Sequence, residues 1–549
     1  MTKLESPIDA PVAKTLRDHA RVLPPDVSAD DFAEAIKAMR DAIGADNVRD
    51  DDDTVSRYYD AFPVTDDPTD FAPSGVVYPG STEEVQAIVR VANEYLIPLH
   101  AFSTGRNLGY GGSAPRTAGS LLIDLGKRLN RVLEINEKYA YALIEPGVSY
   151  YDLYNAIQEK GYGLWIDAPD LAWGSVVGNT MDRGVGYTPY GDHGMWKSGL
   201  EVVLPDGDVL RTGMGGLPGS NTWQLFPASF GPQPDNLFVQ SNFGIVTKMG
   251  IQLLPAPPDS LTFQITFDKA ADLEQIIDIM LPLRINMAPL QNVPVLRNIF
   301  LDAAQVSKRS DWFDGDGPIP DDVVERMKRE LNLGYWNFYG TCYGPRPVID
   351  QYIAMIEGAF TQIPGAHFYT TETRPSTPED LGAHTLHDRH KINTGVPTTE
   401  EANVFNWIPD AGHFFFSPIS APDGADALRQ FEMVKKRADE FEKDYCAQFV
   451  IGLREMHHIS LLLYDTTDSA HRSETLSLVR TLIDEAAAEG YGEYRSHNVL
   501  NDQIAATYSW NDNAQLRFNE RLKDALDPNG ILNPGKAGIW PARLRGRGL

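Results

Sequence analysis

The sequence predicts an α+β chain of two domains, and three observations carry that reading. The chain has 549 residues, more than one ordinary hydrophobic core supports. A proline cluster at Pro255, Pro257 and Pro258 separates two patterns. Before it, short strands alternate with helices; after it, amphipathic helices alternate with strands that suit an antiparallel sheet. The first glycine-rich loop is followed by a strand signal rather than a helix, so the strand–GxGxxG–helix fingerprint of a Rossmann domain is missing.

Taken in order, residues 1–30 are rich in proline and aspartate and read as an N-terminal arm. A helix is signalled by the Ser81/Glu84 capping box and by Val85, Ile88, Val89 and Ala92 at helical spacing. Strands follow at Leu99–Phe102 and Leu121–Asp124, then a strand–turn–helix unit over Tyr141–Lys160. Pro205-Asp206-Gly207 reads as a hairpin turn between Val202–Leu204 and Val209–Arg211. Beyond the proline cluster, helices are expected at Asp272–Met280, Asp350–Phe360 and Asp426–Lys443. Strands are expected at Asn337–Tyr343, Gln448–Leu453 and Leu461–Tyr464. A last helix, Leu516–Leu526, precedes a turn at Asp527–Gly530 and the NPGK segment Asn533–Lys536.

Composition excludes some function classes. The net charge of −28 opposes binding to nucleic acid or to an anionic membrane. No apolar run is long enough for a signal peptide or a membrane span. The two cysteines, Cys342 and Cys446, show no pairing pattern, which suits a cytoplasmic location. The 23 tyrosines suit an aromatic pocket.

Chemistry concentrates in two glycine-rich tracts. Ser103–Pro115 places Tyr110 between glycines, and its backbone N–H groups can converge on an anion such as a pyrophosphate. By itself it fits a tight surface turn equally well. The second tract, Ala172–Asp192, holds Gly174, Gly178, Gly184, Gly186 and Gly191. Two such loops suit one extended cofactor gripped at two places. Asp167 and Asp170 are rival candidate acids. His384, His387 and His390 would share a helix face, but their polar, proline-containing setting reads as a solvated loop without a metal. Arg454–Ile459 is not HExxH, so a zinc-protease site is not expected.

The motifs STGRNLGYGG, PGVSYYDLY, PDLAWGSVVGN, RGVGYTPYGDH, SNFGIVTK, REMHH, GYGEYRSH and DPNGILNPGK together resemble the vanillyl-alcohol oxidase/4-cresol dehydrogenase flavoproteins, from about Ala33 to the end. The resemblance implies a non-Rossmann FAD-binding domain over residues 31–258, an α+β cap domain on an antiparallel sheet over 259–496, and a segment, 497–549, returning to the first domain. Ser103, Thr104, Gly105, Arg106 and Asn107 would cradle the pyrophosphate. Gly174, Ser175, Gly178, Asn179, Gly244, Ile245, Val246 and Lys536 would hold the rest of the cofactor. His413 matches the histidine that the family joins to the flavin 8α carbon. Asp410 stands where the family has asparagine, and Asp60 is the substitute for a second histidine that activates the first in some members.

Tyr110, Tyr494 and Arg495 match the trio that holds a substrate phenol, and Asp170 matches the active-site acid. Tyr187, Ser417, Gln448, Val450 and His457 would line the substrate cavity. The physical logic is sound. A free phenol has a pKa of about 10 and stays protonated in neutral water. Three donors converging on its oxygen stabilise the phenolate, which can then expel hydride from the benzylic carbon as a p-quinone methide forms. The implied activity is oxidation of 4-substituted phenols such as vanillyl alcohol or eugenol, with O2 as acceptor and hydrogen peroxide as product. A cytochrome-coupled dehydrogenase is the alternative; its known members link flavin through tyrosine and work in the periplasm, so His413 and the missing signal peptide favour the oxidase. Some family members bridge dimers into octamers through a long insertion. The corresponding Leu217–Pro227 is short, which implies a homodimer.

Overall fold

The computed structural model describes residues 22–67, 69–377 and 380–547. Most of the expected N-terminal arm, residues 1–21, lies outside them. The helix Ala29–Ile43 starts inside the arm's expected bounds, because the Ser28 side chain accepts the Asp31 N–H and caps it. It buries Phe32, Ala35, Ile36 and Met39 against the helix Thr82–Tyr95. Ser81 caps that second helix as expected, while Glu84 reaches back to Gly80 N–H rather than to Ser81 and pairs with Arg128.

Beneath these helices lies a four-stranded sheet ordered Val48–Arg49, Gly75–Val77, Leu121–Asp124, Leu99–Phe102, with the last three strands parallel. A five-stranded antiparallel sheet follows, ordered Val132–Asn136, Tyr141–Ile144, Ile245–Gln252, Lys197–Val203, Val209–Arg211. The chain changes sheet at the proline cluster. Ser260–Phe267 opens a nine-stranded antiparallel sheet that includes Trp336–Tyr343, Val295–Asn298, Cys446–Ile451, Met456–Asp465 and Ala411–Phe416. Helices Leu273–Arg284, Arg346–Phe360, Gly424–Glu440 and Ser469–Ala488 cover this sheet with its largest apolar cluster.

The C-terminal segment crosses back to the first sheet. Leu99 N–H donates to Ile531 O and Leu99 O accepts from Asn533 N–H, both at 2.7 Å. Ile531 and Leu532 join the core under the first helix. Behind them the fully buried pair Lys523–Asp527 (2.8 Å) ties the return, with Lys523 donating to Asn242 O and Leu532 O.

One expectation is corrected. His384, His387 and His390 sit on a helix, Leu381–Asn393, not in a loop. Asp380 caps it. The helix buries residues around most of its circumference, including Ala383, Leu386, Asp388, Arg389 and Ile392, so no apolar stripe betrays it in the sequence. The three histidines face different partners: Glu400, Arg374 O and Thr262 Oγ1. Among the described residues no helix is long and apolar enough to cross a membrane.

Candidate active site

The two glycine-rich tracts, the 240s turn and the cap sheet enclose one cavity of about 360 Å³. Ser103, Thr104, Gly105, Arg106, Asn107, Gly174, Ser175, Gly178, Asn179, Gly244, Ile245, Val246 and Lys536 all line it, and so do Tyr110, Asp170, Tyr187, Gln448, Tyr494 and Arg495. The first loop turns tightly because Gly105, Gly109, Gly111 and Gly112 all take positive φ. Gly178 lets Ser103 approach closely: a Cβ there would lie 2.3 Å from Ser103 Oγ and would force that hydroxyl to turn away. A long, glycine-walled cradle of this kind fits an extended dinucleotide.

One end of the cavity is a cluster of donors. Arg495 Nη2 donates to Tyr110 OH at 3.0 Å, and its guanidinium lies over the Tyr110 ring (4.4 Å) and near the Tyr494 ring (5.6 Å). Tyr110 stacks on Phe415 at 4.9 Å. Burial pushes both tyrosines up, only partly offset by Arg495, so they stay protonated donors. Burial works against the Arg495 charge, but Tyr110, Tyr494 and Asp182 hold its value above the ordinary one. The clamp is braced from behind. Gln240 Nε2 donates to Tyr494 O at 2.9 Å, and His457 packs edge-on against the Tyr494 ring at 4.8 Å. The Glu493 carboxylate accepts Ser417 N–H, and burial pushes Glu493 up to about 8.

A second cluster lining the same cavity, the acceptor end, is built of acceptors. Asp170 receives the Tyr187 hydroxyl on one oxygen and pairs with Arg389 on the other. Glu401 also lines the cavity and pairs with Arg297 at 2.8 Å. Burial pushes Glu401 up to about 7 against the pull of Arg297. Arg297 in turn holds Asp302 at 2.6 Å, and Tyr339 donates to Asp302 at 2.8 Å. Gln448 sits opposite Arg297 across paired strands. The rivalry between Asp167 and Asp170 is resolved by position. Asp167 accepts Thr188 N–H and lies 2.7 Å from His193 Nε2, beside a small separate void, whereas Asp170 faces the cavity.

His413 lies just behind the wall, packed among Phe62, Phe405 and Phe415. Neither ring nitrogen has a hydrogen-bond partner. Burial, with His497 nearby, pushes His413 down to about 3, so the imidazole is neutral. A Cβ on Gly109 would lie 2.4 Å from Nε2. A neutral, unpartnered imidazole beside the cradle fits a flavin linkage. Asp60 does not assist it: its carboxylate holds His497 Nε2 at 2.7 Å and Phe62 N–H at 3.0 Å. Ser417, Val450 and His457 stand behind lining residues rather than in the wall.

Comparison with known proteins identifies the family. A family model described as an FAD binding domain matches residues 73–213, and one described as the C-terminal domain of FAD linked oxidases matches residues 398–537. The chain is 36% identical over 520 residues to the 4-cresol dehydrogenase [hydroxylating] flavoprotein subunit of Pseudomonas putida, covering 94% of this chain and 98% of that one. The chain belongs to the vanillyl-alcohol oxidase/4-cresol dehydrogenase flavoprotein family.

Two solved structures of this family superpose along nearly the whole chain. A 4-ethylphenol oxidase from Gulosibacter chungangensis, in complex with isoeugenol, is 59% identical with a TM-score of 0.94, covering 95% of this chain and 100% of that one. A p-cresol methylhydroxylase with substrate bound is 36% identical with a TM-score of 0.91, covering 94% and 99%. Within the family fold, sequence reasoning missed Glu401, Arg297 and Arg389. Glu401 carries no motif. Arg389 sits on the same helix as the three histidines, in the polar run His387–Lys391, where nothing local marks it out from its neighbours.

Proposed function

We propose that the protein oxidises 4-alkylphenols and 4-hydroxybenzylic alcohols by removing hydride from the α-carbon of the substituent para to the hydroxyl. The observation that carries this is a single cavity lined by a guanidinium and two phenol donors together with the carboxylates Asp170 and Glu401. When bound, FAD supplies the hydride acceptor. It would lie along the cradle from Ser103–Asn107 to Gly174–Asn179, Gly244–Val246 and Lys536, with residues 31–258 and 497–549 as its domain and 259–496 as the cap.

The chain's own groups do the rest. Tyr110, Tyr494 and Arg495 receive the substrate oxygen and stabilise it as phenolate in a water-poor site. Phe415 and Tyr187 flank the ring. Loss of hydride from the α-carbon turns the phenolate into a neutral p-quinone methide. That product either gives up a proton from the neighbouring carbon or takes up water, and Asp170 is placed to accept the proton in each case. His413 is the attachment point for the cofactor. The electrons pass on to O2, giving hydrogen peroxide; the 59% identity to a 4-ethylphenol oxidase supports an oxidase. The short Leu217–Pro227 segment supports a homodimer, and the two unpaired cysteines, Cys342 and Cys446, support a cytoplasmic location.

The experiment is to mix purified holoenzyme with 4-ethylphenol in air and assay peroxide against reduced cytochrome c. Stoichiometric peroxide is expected. Turnover only with the cytochrome would make the protein a dehydrogenase. Light scattering at micromolar concentration is expected to give a dimer mass, and an octamer would contradict that part of the reading.

A further inference from the structure

The acceptor end of the cavity holds more charge than one proton transfer needs. Asp170 is one carboxylate, and Glu401 is a second on the same wall. Their counter-charges, Arg389 and Arg297, are 1% exposed and stand behind them, outside the residues that line the cavity. The Tyr187 hydroxyl is committed to Asp170. Gln448 lines the same end, is 4% exposed, and its Oε1 has no hydrogen-bond partner. Arg297 is shared with a third buried acid, Asp302, so two arginines face three carboxylates. With Glu401 ionised, a group entering this end therefore meets excess negative charge. A phenol held at Arg495 shares its cavity with these acids, and the chain on its para carbon is taken to run toward them.

We propose that this end is a charge filter on the para side chain, with Glu401 as its specificity-determining residue. It accepts 4-substituted phenols whose side chain is apolar or ends in a hydrogen-bond donor, a hydroxyl or an ammonium. It rejects those whose side chain ends in a carboxylate. The inference rests on the phenol-binding direction given above. Two like charges about 5 Å apart in a partly polar interior repel strongly enough to weaken binding on the order of 10²-fold.

Three probes share one phenol and one chain length: tyrosol (neutral), tyramine (cationic) and 4-hydroxyphenylacetate (anionic). Each is titrated into the holoenzyme anaerobically, with flavin absorbance reporting both binding and reduction. Tyrosol and tyramine are expected to bind within about tenfold of one another, and 4-hydroxyphenylacetate about 10²-fold more weakly. Glu401→Gln is expected to recover at least about tenfold of that difference and to weaken tyramine. Arg297 keeps Asp302 in this variant.

A pH series on the wild type needs no variant. The groups facing Glu401 are Arg297, Asp170, Arg389, Tyr187 and Cys446, and burial places its titration at about 7. The anion penalty is therefore expected to shrink as pH falls from 8 to 6, a window in which none of the probes titrates. Equal binding of the neutral and anionic probes overturns the filter, and so does an unchanged ratio in Glu401→Gln. Failure of the oxidation reading looks different: 4-ethylphenol would leave the flavin oxidised while the probe binding ratios still report the filter.

Discussion

At the donor end of the cavity, two of the three polar groups, Tyr494 and Arg495, are neighbours in the chain, and the third sits in a loop that only glycines can build. At the acceptor end, Asp170, Glu401 and Gln448 come from three distant segments, and their supports, Arg389, Arg297, Asp302 and Tyr339, come from further ones. The donor end is braced mainly through backbone groups: Gln240 holds Tyr494 O, and Glu493 holds Ser417 N–H. The acceptor end is braced side chain to side chain, by ion pairs among buried groups. A backbone-braced site tolerates a change in its working side chain, because the frame survives. An ion-paired site does not, since removing one partner strands the other in a low dielectric.

The substitutions that test this contrast run from large to small. Arg495→Ala should lower the kcat/KM of flavin reduction about 10²–10³-fold, as loss of one strong donor to a developing anion does, with little change in urea-induced unfolding. Arg495→Lys should recover only part, because an ammonium cannot reach the substrate oxygen and Tyr110 with one rigid fork. Asp170→Ala should slow flavin reduction by roughly 10²-fold. It should also destabilise the fold by about 3–5 kcal/mol, because Arg389 is left buried without its partner. Stability loss as large from Arg495→Ala, or none from Asp170→Ala, would break the contrast.

A smaller effect is expected at His413. After acid precipitation the wild-type pellet should stay yellow, whereas His413→Ala should release its flavin and still turn over slowly. A colourless wild-type pellet would rule out the linkage. The smallest effect concerns pH. Burial raises Glu401 to about 7 and Glu493 to about 8, so the folded state resists ionising them while the unfolded chain does not. Their contribution to stability is complete below the ordinary carboxylate range and is lost as pH rises to about 8. Tm in a calorimetric scan should fall between pH 5 and 8, and Glu493→Gln should flatten the slope.

The same contrast explains what can be read from the sequence. Strands Leu99–Phe102, Leu121–Asp124 and Tyr141–Ile144 fall where apolar runs and turn residues put them, and Ser103–Asn107 wall the cavity as their glycine setting implies. Local patterns specify local structure. Tyr494-Arg495 is legible because both residues lie in one motif. Glu401 is not, because its meaning lies in Arg297, more than a hundred residues away, and no local pattern records that pairing. The helix Leu381–Asn393 escapes for a related reason: buried nearly all round, it has no stripe to show, and Arg389 is hidden with it. Asp60 meets a different partner from the one expected, because proximity in a motif does not say which histidine, His413 or His497, a carboxylate will meet.

The central claim is that the donor end works by stabilising a phenolate. Anaerobic stopped-flow reduction of the flavin by vanillyl alcohol and by its phenol O-methyl ether tests it most directly. The ether keeps the benzylic alcohol and the shape but can neither ionise nor form a quinone methide. A site built to hydrogen-bond a hydroxyl should reject it by about 10⁴-fold or more in reduction rate. Comparable rates for the two compounds would contradict the phenolate mechanism and, with it, the roles given to Tyr110, Tyr494 and Arg495.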